Sequence, residues 1–236
     1  MLSGLLLNVA LYAVLRFKLL LAANPGGLAT GPLMVTMGLA SVLLAAVMLY
    51  RRRDIKRLFA YSSIEHMGII VFAFGMGGPL ANFAGLLHMV MHSLTKSAIF
   101  FAVGHVAQVK GTQRMSEIGG LTETHPWLGW SLVLGVVAIA GLPPMGIFMS
   151  EFLLISSTFA REPVLTVILV AGLLLAFGAL LMRLNGLAFG EPKGATAPVH
   201  ASYVPMFAHL ALVLAAGLFL PGPVVAWFQN VAALLG

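Results

Sequence analysis

Long apolar runs separated by short polar ones set the pattern of this chain. Each run can be measured against about 20 residues, the length at which a helix rising 1.5 Å per residue crosses the hydrocarbon core of a bilayer. Residues 2–23 are long enough to span but carry Asn8, Arg16 and Lys18, and NPGGLATG (24–31) follows as a turn. Residues 32–50 make a second span without charge, closed by the basic run RRRDIKR (51–57). A third span, 58–76, opens on Ser62, Ser63, Glu65 and His66, a pattern that predicts an interfacial helix start with a capping hydroxyl and a dipole-complementary acid. GGP at 77–79 ends it, and a fourth span, 81–109, leads into the polar loop 110–126.

Residues 127–160 are too long for one straight span and hold Gly141, Pro143, Pro144 and Gly146 in their middle. Adjacent prolines remove two backbone donors and clash with the preceding turn, so a broken helix is predicted here, its freed backbone groups facing protein or water. Glu151 follows one to two turns later, near a new helix N-terminus whose positive end favours a carboxylate. Residues 163–188 form another span with Arg183 late in it, 191–202 a polar loop, and 203–220 a last span with His209. The remainder, 221–236, is too short to cross and is predicted to lie at the interface or pack laterally. With the broken segment counted once, the pattern predicts an all-α integral membrane protein of about seven transmembrane helices. They form a single transmembrane domain (1–220) followed by a short C-terminal segment (221–236).

Composition agrees: 60% of the 236 residues are hydrophobic and 8% charged, with a mean hydropathy of +1.02. The absence of cysteine excludes disulfides, thiolate metal sites and cysteine nucleophiles. The net charge of +6 reflects loop orientation rather than nucleic-acid binding, since no basic, aromatic-interleaved patch accompanies it. Nine of the thirteen Lys and Arg residues fall on the side of RRRDIKR in this threading, Arg161 alone falls opposite, and Arg16, Lys18 and Lys96 lie in spans. The positive-inside rule then predicts a cytoplasmic N-terminus and a C-terminus outside, in a multi-pass protein of a prokaryotic inner membrane. Residues 2–23 do not fit a signal peptide, because their positive charge comes late and their apolar part is too long.

The chemistry concentrates in LLHMVMHSLTKSAIFF (86–101), where His88, His92 and Lys96 recur at intervals of four. On a helix they project from one face within about 12 Å along the axis. A Lys at mid-bilayer costs at least about 2.5–3.5 kcal/mol, so such a row usually lines a polar path. His88 and His92 have the spacing of a zinc-binding helix, but no Glu lies between them and Lys96 sets a cation next on the stripe, so no metal is expected. With no phosphate loop, dinucleotide fingerprint or nucleophile elbow, no cofactor is expected and the chain is not catalytic alone. Proton exchange among His88, His92, Lys96 and Glu151 through water in the broken helix is the chemistry that remains.

The ordered set DIKRLFAYSSIEHMG, HMVMHSLTKSAIFF, MSEIGGL and GLPPMGIFMSEF resembles the proton-conducting antiporter-like subunits. These are shared by respiratory complex I (its L, M and N subunits), multisubunit cation/proton antiporters and membrane-bound hydrogenases; the wording is nearest to component F of the hydrogenase 4 type. The resemblance implies a fourteen-helix fold with two inverted repeats, of which this chain matches helices eight to fourteen, as a C-terminal half. It implies that His88, His92 and Lys96 form a proton relay ending at Glu151 in the broken helix. The family's Lys and Glu pair of the front half has no counterpart here. Asn8 stands where many relatives have a Lys in the eighth helix, before Tyr12 and Arg16, and Lys18 is a candidate substitute. Asn8, Lys18, Glu65 and His66 are therefore candidates for entry to the relay or linkage within it. Implied partners are the other membrane and peripheral subunits of a hydrogenase or complex I-like assembly, a separate N-terminal half and the lipid bilayer. Two other readings stay open on the sequence: a non-conducting membrane anchor or remnant, and a sodium/proton antiporter subunit.

Overall fold

A computed structural model describes residues 4, 6–24, 26–198 and 202–236. Residues 2, 3 and 5 of the first predicted span, Pro25 of the turn and 199–201 of the last loop lie outside these. Among the described residues α-helices joined by loops make up most of the chain, in the order α1 (Leu7–Ala22), α2 (Thr30–Tyr50), α3 (Ile55–Met76), α4 (Pro79–Lys110), α5 (Leu121–Thr124), α6 (Pro126–Ile139), α7 (Gly146–Phe159), α8 (Pro163–Phe189), α9 (Val204–Leu218) and α10 (Gly222–Leu234). Four of them, α2, α3, α4 and α8, are individually long and apolar enough to cross a membrane. Helices α6 and α7 are shorter apolar pieces on either side of residues 140–145, as expected of one broken crossing. Helix α10 turns 82° away from α9. It packs sideways on α4, with Phe228 edge-on to Phe83 and Asn82 Nδ2 donating to the Ala232 and Gly236 carbonyls.

The fold is arranged around α4, which packs against α3, α6, α7, α9 and α10. Lipid offers no hydrophobic drive between helices, so close backbone approach and interhelical hydrogen bonds must hold the bundle. Helices α2 and α3 show the first device. A Cβ on Gly38 would lie 2.6 Å from the Phe72 nitrogen and 2.7 Å from the Gly68 oxygen, so only glycine permits this crossing.

Hydrogen bonds between loops gather the helix ends into two groups. At one end Met115 N donates to Arg53 O, Ile55 N to Gln113 O and Arg183 Nη2 to Tyr50 O, which gathers the 51–54 turn, the 110–119 segment and the end of α8. At the other end Arg161 Nη1 donates to Gly77 O. The exposed loop between α4 and α5 is ordered locally: the Thr112 hydroxyl donates to Glu117, and with Arg114 beside it holds that carboxyl below the usual carboxylate range.

The start of α3 differs from the sequence expectation. The helix begins at Ile55, and its cap is Asp54, whose side chain accepts from the Arg57 backbone N–H. Glu65 and His66 therefore sit three turns inside the helix rather than at its interfacial start, and both are buried. The run of charges in RRRDIKR hid the boundary: Lys56 and Arg57 read as loop, yet they occupy the exposed first turn behind the Asp54 cap.

Candidate functional site

Three helices bring titratable side chains together at mid-bundle. From α4 come His88, His92 and Lys96, each no more than 1% exposed; from α3 come Glu65 and His66; from α7 comes the partly buried Glu151. The four-residue spacing on α4 keeps its three groups on one face, and that face meets α3 and α7. His66 stacks on His88 with ring centroids 5.1 Å apart and lies 5.4 Å from His92.

Lys96 donates to the Phe59 carbonyl at 3.0 Å, an oxygen that also accepts from Ser63 Oγ. Glu65 lies within Coulombic reach of Lys96, but the two form no direct ion pair. Magnitudes show that this arrangement is not kept for stability. An interhelical hydrogen bond in a membrane contributes roughly 0.6 kcal/mol on average, well short of the cost of about 2.5–3.5 kcal/mol for placing a Lys there.

A directional chain of hydrogen bonds runs from α3 to α7. Ser150 Oγ lies 2.8 Å from the Ile147 carbonyl and 2.9 Å from His88 Nδ1, and His88 Nε2 lies 2.9 Å from His66 Nδ1. If the Ser150 hydroxyl donates to Ile147, it must accept from His88 Nδ1–H, so His88 Nε2 accepts from His66 Nδ1–H. His66 Nε2 is then a bare acceptor, buried and without a partner among the described residues. Reversing every donor gives the second allowed state, in which His66 Nε2 carries the hydrogen and Ser150 donates to His88 Nδ1. Both ring nitrogens of His92 are likewise buried and unpartnered among the described residues.

The break between α6 and α7 completes the site. Pro143 and Pro144 lack the N–H groups that would bond the carbonyls four residues back, those of Ile139 and Ala140. Ile139, Ala140, Glu65 and Glu151 line one cavity of about 20 Å³, closed by Leu173, Phe177 and Leu180 of α8. A water needs roughly 10–15 Å³ and two to four polar partners, so the cavity suits one. Gly141 holds a left-handed φ of 67°, and a Cβ there would run into the Glu151 carboxylate, so the break seats that side chain directly.

Not every sequence candidate converges here. Asn8 donates to Ser93 Oγ at 2.7 Å on a neighbouring face of α4, which fastens α1 to the bundle. Lys18 donates to the carbonyls of Phe74 and Leu235, at the C-terminal ends of α3 and α10, away from the cluster. Gly146 begins α7 and packs on Met91 and Val213. Sequence reasoning passed over Ser150, whose only signal was its place beside Glu151 in the first turns after the double proline. A metal fits poorly: ligand atoms of His66, His88 and Glu151 lie within 4.8 Å of one another, but both imidazoles are already bonded to each other and to Ser150.

Comparison with known proteins places the fold. A family profile described as NADH:quinone oxidoreductase/Mrp antiporter, transmembrane, matches residues 1–178. A hydrogenase-4 component F homolog of Methylacidiphilum infernorum is 66% identical over 234 residues, covering 99% of this chain and 49% of that protein. NADH-quinone oxidoreductase subunit M of Escherichia coli K12 is 34% identical over 192 residues, covering 81% of this chain and 38% of its own length. A Na(+)/H(+) antiporter subunit of Alkalihalophilus pseudofirmus is 32% identical over 195 residues, covering 81% and 39%. The chain thus spans about half the length, or less, of the curated relatives it matches. Among solved structures, a chain of the membrane-bound sulfane sulfur reductase, an archaeal respiratory membrane complex, superposes with a TM-score of 0.89 at 24% identity, covering 100% of this chain and 48% of that one. The Mrp complex from Dietzia sp. DQ12-45-1b gives a TM-score of 0.85 at 19% identity, covering 99% and 52%. Both likenesses concern the fold. With most of its length matched by the family profile and by relatives from three kinds of membrane complex, the chain belongs to the NADH:quinone oxidoreductase/Mrp antiporter family of integral membrane proteins.

Proposed function

We propose that this chain relays protons across part of a prokaryotic inner membrane, as an antiporter-like subunit of a hydrogenase 4 or complex I-type assembly. The observation that carries the reading is the convergence of Lys96, Glu65 and Glu151 from three helices on a buried cluster beside a water-sized cavity at a helix break. Lys96 and the stacked imidazoles exchange protons along α4, Glu65 links the row to the cavity, and Glu151 is the terminal carboxylate. Family membership supports this use of the groups, and relatives named as subunits of multi-subunit assemblies support the presence of partner subunits. Because the chain spans about half of those relatives, an entry path supplied by a further polypeptide segment belongs to the proposal. The test is proton uptake by proteoliposomes of the assembled complex. Lys96→Ala is expected to abolish uptake while assembly, followed separately, persists; uptake at the unmodified rate would sink the relay.

A further inference from the structure

A second polar feature lies at the basic end of the bundle, beginning on α8 within one turn of Leu180, which closes the Glu65 and Glu151 cavity. A pocket of about 530 Å³ opens between the 51–54 turn, residues 115–119, the last turns of α8 and residues 190–193. Arg53, Arg183 and Lys193 line it against a single acid, Glu191, and none of the four is in an ion pair among the described residues. Arg183 is oriented by its bond to the Tyr50 carbonyl at 2.6 Å, which leaves its Nε buried and unpartnered among the described residues. Gly186 adds room: nothing lies within 4 Å of the place a Cβ would occupy.

Depth decides the kind of ligand. Tyr50 ends α2 at this level, and Trp130 meets Phe189 edge-on with ring centroids 6.0 Å apart, both rings about half exposed. Such an aromatic girdle marks the headgroup layer. Below the pocket an exposed apolar surface of α8 continues through Met182 and Leu175 toward the middle of the helix. Cations at headgroup depth above an apolar track match one molecule better than a soluble anion: a phosphate ester with acyl chains attached.

We propose that this pocket binds the phosphate of an anionic phospholipid, held by Arg183 and Arg53 with Lys193 at the rim, its chains lying along α8. The reading is independent of the proton relay. Its test uses the chain in its native membrane assembly, with lipid retention followed by native mass spectrometry after titration with phosphatidylglycerol, phosphatidylcholine or inorganic phosphate. A cation near an anionic headgroup contributes about fivefold in affinity, so Arg53→Gln with Lys193→Gln is expected to weaken phosphatidylglycerol retention roughly 25-fold. Neither exposed side chain holds a hydrogen bond among the described residues, so the fold is left intact. Gly186→Leu fills the space without changing charge and is expected to remove retention by itself. Retention unchanged in both variants, phosphatidylcholine held equally well, or an unmodified assembly that retains no phosphatidylglycerol would each overturn the proposal. Displacement by millimolar inorganic phosphate would reassign the pocket to a soluble anion and overturn it as well.

Discussion

Glu65 of α3 and Glu151 of α7 face one cavity of about 20 Å³, although 86 positions separate them in the chain. Beside them lie the two residues whose carbonyls the double proline leaves without helical partners. If a single water joins the carboxylates, they act as a unit. Glu65→Gln and Glu151→Gln should then each slow proton translocation on the order of a hundredfold, the scale of losing a positioned proton carrier. The double variant should be no slower than either single one. Translocation measured in proteoliposomes for all three variants tests this; additive losses would separate the two residues.

Gly141 offers a test that changes no titratable group. Gly141→Ala must place a Cβ at a φ of 67° and against the Glu151 carboxylate. The backbone cost is about 1–3 kcal/mol, and Glu151 must leave its seat. Lower thermal stability together with lost translocation is expected. Gly104→Ala, on α4 with nothing within 4 Å of the new Cβ, should gain roughly 0.5–1 kcal/mol and conduct normally.

Hydration at the break can be read directly, because the chain has no cysteine and a single introduced thiol reports alone. Ala140→Cys is expected to be oxidised in radiolytic hydroxyl-radical footprinting, where the label is generated from water at the site itself, in the otherwise unmodified protein. Adding Pro143→Ala and Pro144→Ala returns two backbone donors to the helix, and labelling should then fall along with conduction. Equal labelling in both backgrounds would show that the prolines do not set access to water.

Lys18 is expected to behave as a structural residue. Its ammonium donates to carbonyls at the ends of α3 and α10, where a cation complements both helix dipoles. Lys18→Met should lower stability by about 1 kcal/mol, measured by thermal unfolding in detergent, with translocation retained once the complex is assembled. Loss of translocation in a fully assembled Lys18→Met complex would return Lys18 to the proton path.

Much of this molecule is legible in its sequence because a bilayer leaves few solutions: apolar length gives the crossings, the double proline gives the break, and the four-residue spacing gives the face of α4. Less visible were features that depend on neighbours. Glu65 and His66 looked interfacial because the helix start was misplaced by three residues, and only packing against α4 shows them buried. Lys18 and Asn8 carried the chemistry of a link, but the chain path sends one to two helix ends and the other to Ser93. Ser150 had no periodicity to mark it, since its role rests on a contact 62 residues away.

The Ser150, His88 and His66 row has two arrangements of its hydrogens, and the passage of a proton converts one into the other. A second proton arriving from the same side meets donors where the first met acceptors. If the row carries protons, the hydroxyl must rotate and both rings must reorient before each new turnover, because returning the hydrogens along the row would carry the proton back to its starting side. Its throughput is then limited by the reorientation of three packed side chains, and a bulkier neighbour that hinders only their rotation should slow the cycle without touching any proton-carrying group.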